Sequence, residues 1–163
     1  EMPDYMPANA RRVGVFVNED KQTIEMFADR FSLDFIQLHG NESPEYCRSL
    51  QLSGLKLIKA FPIASRKDLQ NVHNYSNFCK YFLFDTKCEQ RGGSGNQFDW
   101  SILHIYKGRT PFILSGGINP YSAKALKEFQ HPLLVGYDLN SRFEVKPGKK
   151  DAQRIHLFLN ELR

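Results

Sequence analysis

Short apolar runs recur along the chain: Val13 to Val17, Phe35 to Leu38, Leu55 to Ile58, Tyr81 to Phe84, Pro111 to Leu114 and Leu133 to Val135. They are rich in β-branched and aromatic residues and mostly do not alternate apolar with polar. Strands buried on both faces of a parallel sheet read this way. Helical periodicity lies between them. Ile24, Phe27, Ala28 and Phe31 follow the i, i+3, i+4, i+7 spacing, as do Ile155, Phe158, Leu159 and Leu162. Ser43-Pro44 and Asn119-Pro120 each place a capping residue before a proline at a first helical position. Ser65 with Asp68 resembles a capping box, and the last helix is expected to begin near Asp151.

The pattern is therefore six β-α units, with strands starting near 13, 35, 56, 81, 112 and 133. Regular βα alternation gives a parallel sheet covered by helices. Two architectures satisfy it, an open doubly wound sheet and a (β/α)₈ barrel. The barrel requires eight strands, so about 45 further residues would be needed to complete it. The chain begins with Glu1 and not with methionine. The expectation is a single domain over 1–163, formed by strands 3 to 8 of a barrel whose first two units lie upstream.

Composition narrows the classes without choosing among them. Of the 163 residues, 41% are apolar and 25% charged, an ordinary soluble balance. No apolar run approaches the roughly 20 residues of a membrane span, and no signal peptide is visible. Net charge is +4, but the basic residues are scattered and form no stripe with interleaved aromatics, so no nucleic-acid partner is expected. Cys47, Cys79 and Cys88 are odd in number and widely spaced, which fits a reducing cytoplasm better than a disulfide framework.

In parallel α/β folds chemistry collects where strands end. Those ends carry Asn18, Gln37 with His39, Lys59, Asp85, Ser115-Gly116-Gly117, and Asp138 with Asn140 and Ser141. The glycines after the fifth strand would let backbone N–H groups approach an anion, with a helix start behind them. The loops after the last two strands of a (β/α)₈ barrel form its usual phosphate site. Gly92-Gly93-Ser94-Gly95 lacks a Walker lysine and does not complete GxGxxG, so it reads as a connector or a flap over Asp85. His39, His73, His104, His131 and His156 show no ligand spacing, so no metal is expected. His73, His131 and His156 read as surface residues, and Phe98 and Trp100 as packing residues.

Taken together, RVGVFVN (12–18), IQLHG (36–40), FDTK (84–87) with GGSGNQFDW (92–100), LSGGINP (114–120) and GYDLNSRFE (136–144) resemble phosphoribosylanthranilate isomerases of tryptophan biosynthesis. The stretches run in that family's order over essentially the whole chain. The resemblance implies a TIM barrel that performs an Amadori rearrangement on a small phosphorylated substrate, N-(5-phosphoribosyl)anthranilate. It implies a cytoplasmic monomer or homodimer with no cofactor, metal, nucleic-acid or membrane partner. By its motifs, Asp85 matches the general acid. Gln37, His39 and Asp138 match substrate-lining positions, and Gly116, Gly117, Asn140 and Ser141 match the phosphate loops. Partial desolvation and a nearby substrate phosphate would favour the protonated carboxyl that such an acid needs. Arg142 stands where many members carry a smaller residue.

The family's base, a cysteine in Lys-x-Cys-Gly, and its carboxylate clamp, in Ser-Pro-Arg, are not among these 163 residues. The chain by itself is therefore expected to be inactive. Cys88 is near Asp85 in sequence but has no counterpart as a base. Two other readings stand beside this one: a non-catalytic phosphate-binding barrel fragment, and a neighbouring sugar-phosphate barrel enzyme without the DTK and GGSG pairing.

Overall fold

A computed structural model describes residues 7–86 and 99–163. Cys88, the Gly92–Gly95 loop and Phe98 lie outside the described residues. The chain forms two compact units. One contains the residues up to Ala60 with Asn74–Lys80, the other Phe61–His73 with Tyr81–Arg163.

In the first unit, strands β1 (Val13–Phe16), β2 (Phe35–Leu38) and the start of β3 (Leu57–Ile63) run parallel in that order. Helix α1 (Lys21–Arg30) carries the expected periodicity, and it starts after Asp20, whose carboxylate accepts from the Thr23 N–H at 2.9 Å. Its buried residues are Ile24 and Ala28. Helix α2 (Pro44–Leu52) starts at the Ser-Pro signal, with Ser43 Oγ accepting from Tyr46 N–H at 3.1 Å. Proline is tolerated there because its missing N–H would have no helical partner. Cys47 and Leu50 are the buried residues of α2. On β1, Gly14 and Phe16 are half-buried, whereas Val13, Val15 and Val17 are 42%, 58% and 62% exposed. Only one face of this strand is covered, although its apolar run predicts burial on both.

In the second unit, β4 (Cys79–Thr86, from Tyr81 onward), β5 (Phe112–Ser115) and β6 (Leu134–Tyr137) are parallel and in chain order. Their inward aromatic residues make the core. Phe84 meets Phe112 at 4.8 Å between centroids and Tyr106 edge-on at 5.2 Å, while Phe61 meets Phe82 edge-on at 5.2 Å. Helix α4 (Ala152–Leu162) starts at its cap Asp151, and its Phe158 packs on Phe143. A small antiparallel hairpin, β7 (Glu144–Lys146) and β8 (Lys149–Lys150), precedes it.

Three expectations are corrected. The Ser65–Asp68 signal opens a 3-10 turn, Arg66–Leu69, and no α-helix follows. Asp68 Oδ2 nevertheless accepts from the N–H groups of Ala64 and Ser65, as a capping carboxylate should. The Asn119-Pro120 signal does not start a helix either. Asn119 Oδ1 accepts from Tyr121 N–H and Ser122 Oγ accepts from Asn119 N–H, so these groups close a turn. Helix α3 begins only at Ala123 and ends at Glu128.

The third correction is His131, which is half-buried and not a surface residue. Its ring meets Phe112 at 5.0 Å, Nε2 donates to Tyr106 O at 3.2 Å, and Nδ1 accepts from Leu133 N–H at 3.1 Å. Burial pushes its pKa below the usual 6.5 and outweighs the bond to Tyr106 O, which favours the charged ring, while His104 and Lys107 add to the lowering. A second proton would have to sit on Nδ1, facing a backbone donor. The folded state therefore binds this proton less readily than the unfolded chain. Stability present above pH 6.5 is lost as the pH falls through the lower folded-state value. We expect the melting temperature of the wild type to fall more steeply between about pH 7 and 5 than that of His131→Gln. Parallel slopes would show that His131 does not contribute.

Candidate active site

Strand pairing determines what stands together where β4 and β5 end. Asp85 is opposite Ser115 in the β4–β5 register. One residue on, Thr86 is buried, and its hydroxyl reaches Ser115 O at 2.9 Å and Gly116 O at 3.0 Å. It also accepts from Trp100 Nε1–H at 3.3 Å. Thr86 thus ties the end of β4 to the Gly116-Gly117 turn, and Trp100 backs the tie. Trp100 is a packing residue, as expected, on a 3-10 helix, Trp100–Ile105.

Gly116 has φ +83° and Gly117 has φ +68°. A Cβ at Gly116 would collide with Thr86 O, and would stand 2.6 Å from Thr86 N and 2.7 Å from Asp85 Oδ1. Glycine is required here for two reasons, backbone conformation and the closeness of β4. Around Gly117 there is open space.

Where β6 ends, Asp138 is half-buried and its Oδ2 accepts from Ser115 Oγ at 2.9 Å and from Asn140 Nδ2 at 3.3 Å. Ser141, Arg142 and Phe143 form a single 3-10 turn. Phe143 anchors the turn by packing edge-on against Phe158, 5.0 Å between centroids. Lys150 of the hairpin donates to Asn140 Oδ1 at 3.2 Å and to Glu144 Oε1 at 2.9 Å. Arg142 is exposed, and its carbonyl accepts from Arg154. Of the predicted residues, Asp85, Gly116, Asp138 and Asn140 are thus joined through Ser115 and Thr86. Ser115 is among the polar strand-end residues of the sequence, whereas Thr86 is not, because a threonine beside a carboxylate carries no spacing signal.

In the first unit, Gln37 is the penultimate residue of β2, and its Nε2 meets His39 Nδ1 at 3.0 Å. His39 N–H donates to Phe16 O at 2.8 Å. Lys59 and Glu42 form a buried ion pair at 3.1 Å, with side chains 3% and 1% exposed. Burial opposes the ionised Glu42, but the amides of Asn18 and Glu42 itself and the Lys59 ammonium outweigh it and hold the carboxyl below its ordinary range. Glu42 was missed in the sequence because it precedes Ser43-Pro44 and reads there as a solvated loop carboxylate.

The cysteines of the same unit are buried against each other. Cys79 donates to Cys47, and this bond together with burial pushes the Cys79 thiol far up. Cys79 is the first residue of β4.

The family model for N-(5'-phosphoribosyl)anthranilate isomerase matches residues 4–161. The isomerase of Phocaeicola vulgatus is 50% identical over 161 residues, 99% of this chain and 78% of that protein. That of Parabacteroides distasonis is 52% identical over 159 residues, 98% of this chain and 72% of that protein. The crystal structure of the Thermotoga maritima isomerase superposes with a TM-score of 0.81 at 36% identity, covering 96% of this chain and 75% of that one. A second isomerase crystal structure, in complex with reduced 1-(o-carboxyphenylamino)-1-deoxyribulose 5-phosphate, gives 0.80 at 33% identity and covers 96% of this chain and 73% of that one. This chain, a parallel α/β protein with polar groups where its strands end, belongs to the N-(5'-phosphoribosyl)anthranilate isomerase family.

Proposed function

We propose that the chain carries the acid and the phosphate site of an Amadori rearrangement on a (β/α)₈ framework. The substrate is N-(5-phosphoribosyl)anthranilate and the product is 1-(2-carboxyphenylamino)-1-deoxyribulose 5-phosphate. The Asp85 carboxyl gives its proton to the furanose ring oxygen. The C1–O bond breaks, the ring opens, and the anilino nitrogen takes up the positive charge as an iminium. Loss of the C2 proton to a base gives an enolamine, which tautomerises to the ketone. The base expected from the family motif is a cysteine in Lys-x-Cys-Gly, a motif that these 163 residues do not include. Cys47 and Cys79 are unsuited to replace it, being buried against each other.

The observation that carries the reading is the β4–β5 register, which sets Asp85 opposite Ser115 and next to a glycine that tolerates no side chain. The backbone of Gly116, Gly117, Asn140 and Ser141 takes the phosphate. Asp138 holds Ser115 and Asn140 at one carboxylate oxygen and so couples the two phosphate loops. By the family motif alone, Gln37 and His39 are assigned to substrate-lining positions.

Binding tests this without requiring turnover. Reduced 1-(o-carboxyphenylamino)-1-deoxyribulose 5-phosphate is the probe, because a related isomerase binds it. Titrated into the chain, it should shift its own phosphorus resonance on binding, and inorganic phosphate should compete. No shift at millimolar protein, or a shift that phosphate cannot reverse, would overturn the proposal.

A further inference from the structure

The Glu42–Lys59 ion pair has no role in the chemistry above. It is nonetheless the most completely buried charge pair among the described residues. Burying two charges costs several kcal/mol per ion in general, and apolar residues of similar volume often do as well or better. What the pair holds is therefore informative. Lys59 Nζ donates to Leu38 O at 3.3 Å, Gly40 O at 2.9 Å and Ala60 O at 2.8 Å. Two of these carbonyls flank His39 directly. Glu42 Oε1 accepts from Asn18 N–H at 2.8 Å and from Gly40 N–H at 3.1 Å, with Oε2 also 3.0 Å from Gly40 N. Asn18, at φ +52°, completes the ring by accepting Asn41 N–H on Oδ1 at 2.7 Å. A Cβ on Gly40 would collide with Asn18 Oδ1 and stand 2.7 Å from Glu42 Oε1, so a side chain there would have to displace both from these bonds.

We propose that Glu42 and Lys59 are positioning residues for the Gln37–His39 pair. The backbone of His39 is held on both sides, through Leu38 and Gly40, and at its own N–H by Phe16 O. With the backbone fixed, the amide of Gln37 donates to Nδ1 at 3.0 Å. That leaves the proton of the neutral ring on Nε2. His39 is thereby presented as a hydrogen-bond donor, suited to an oxygen of the substrate and not to removing a proton from it. The inference rests on the assignment of His39 to the substrate, but it concerns what sets that ring's tautomer and direction.

The experiment compares the wild type with the double variant Glu42→Gln/Lys59→Met, which removes both charges and leaves neither unpaired. Thermal unfolding, two-bond ¹H–¹⁵N spectra of the imidazoles, and affinity for the reduced product analogue are measured together. The double variant is expected to keep a cooperative transition and lose the single Nε2–H pattern of His39. It is also expected to bind the analogue about three- to tenfold more weakly, the worth of one hydrogen bond. A folded double variant with an unchanged His39 spectrum would overturn the proposal and leave the pair a purely structural one. If the double variant does not fold, Glu42→Asp is used instead, which keeps a charge beside Lys59 but shortens its reach to the N–H groups of Asn18 and Gly40, and the same unchanged spectrum overturns the proposal. His39→Ala separates the two readings. If it leaves analogue affinity unaltered while the Glu42 and Lys59 variants still scramble the tautomer, the substrate assignment fails and the positioning role stands.

Discussion

Asp85→Asn is expected to lower turnover by about 10²–10⁴-fold, the usual worth of a general acid. The substitution is nearly isosteric and leaves the backbone pairing of β4 with β5 intact, so Asp85 should still stand opposite Ser115. An amide can donate a hydrogen bond to the ring oxygen but cannot surrender a proton to it. The loss should therefore fall on kcat, with KM changed little. The measurement needs an enzyme that carries the Lys-x-Cys-Gly strand, with substrate consumption followed by anthranilate fluorescence. Turnover within about fivefold of wild type would be far too small a loss for the acid and would remove Asp85 from that role. A large rise in KM with unchanged kcat would recast it as a binding residue.

Gly116→Ala is expected to be the most damaging small substitution in the second unit. A residue with a Cβ at φ +83° is strained by about 1–2 kcal/mol, and forcing atoms into a filled site adds about 1–3 kcal/mol. The atoms in the way are mainly backbone, Thr86 O and N, with Asp85 Oδ1 beside them. Backbone in a paired strand cannot swing aside as the end of a side chain can. Thr86 would be pushed from Ser115 and Gly116, and the acid and the phosphate loop would move apart. Gly117→Ala is the matched comparison, with φ +68° but no atom within 4 Å of the new carbon. Thermal melting should show a clear gap between the two variants, and phosphate affinity should follow it. Equal melting temperatures would mean that β4 yields more easily than its pairing suggests.

The strands were the most legible part of the chain. Expected starts near 13, 35, 56, 81, 112 and 133 compare with Val13, Phe35, Leu57, Cys79, Phe112 and Leu134. Apolar runs in a parallel sheet are short and bounded by polar residues, so little can move them. Helix starts were legible where a capping side chain met a free N–H, as at Ser43 and Asp151, while the cap at Asp20 went unread. They misled at Asn119, because the same asparagine–proline pair serves a turn equally well, and the serine at 122 decided the outcome by accepting from Asn119 N–H.

The candidate site divided along similar lines. Residues with chemical identity, such as Asp85 and the glycine pair, were readable at the strand ends. The groups that hold them were not. Thr86 and Glu42 went unread, and Ser115 was read only as a polar strand-end residue, because their bonds depend on pairing between segments distant in sequence and no local pattern encodes it. His131 was misread because the sequence lacks any mark that two backbone groups would satisfy both its ring nitrogens.

Trp100 is the chain's single tryptophan, and its indole N–H ends on the hydroxyl of Thr86. The protein therefore carries one indole reporter, bonded to the residue that follows the proposed acid. Its emission should be that of a buried indole, and its colour should respond when the turn at Gly116 closes on an anion. With no second indole to dilute the signal, stopped-flow fluorescence can time the arrival of phosphate without any added label. The same chromophore would register the loosening of Thr86 in Gly116→Ala before the chain as a whole unfolds.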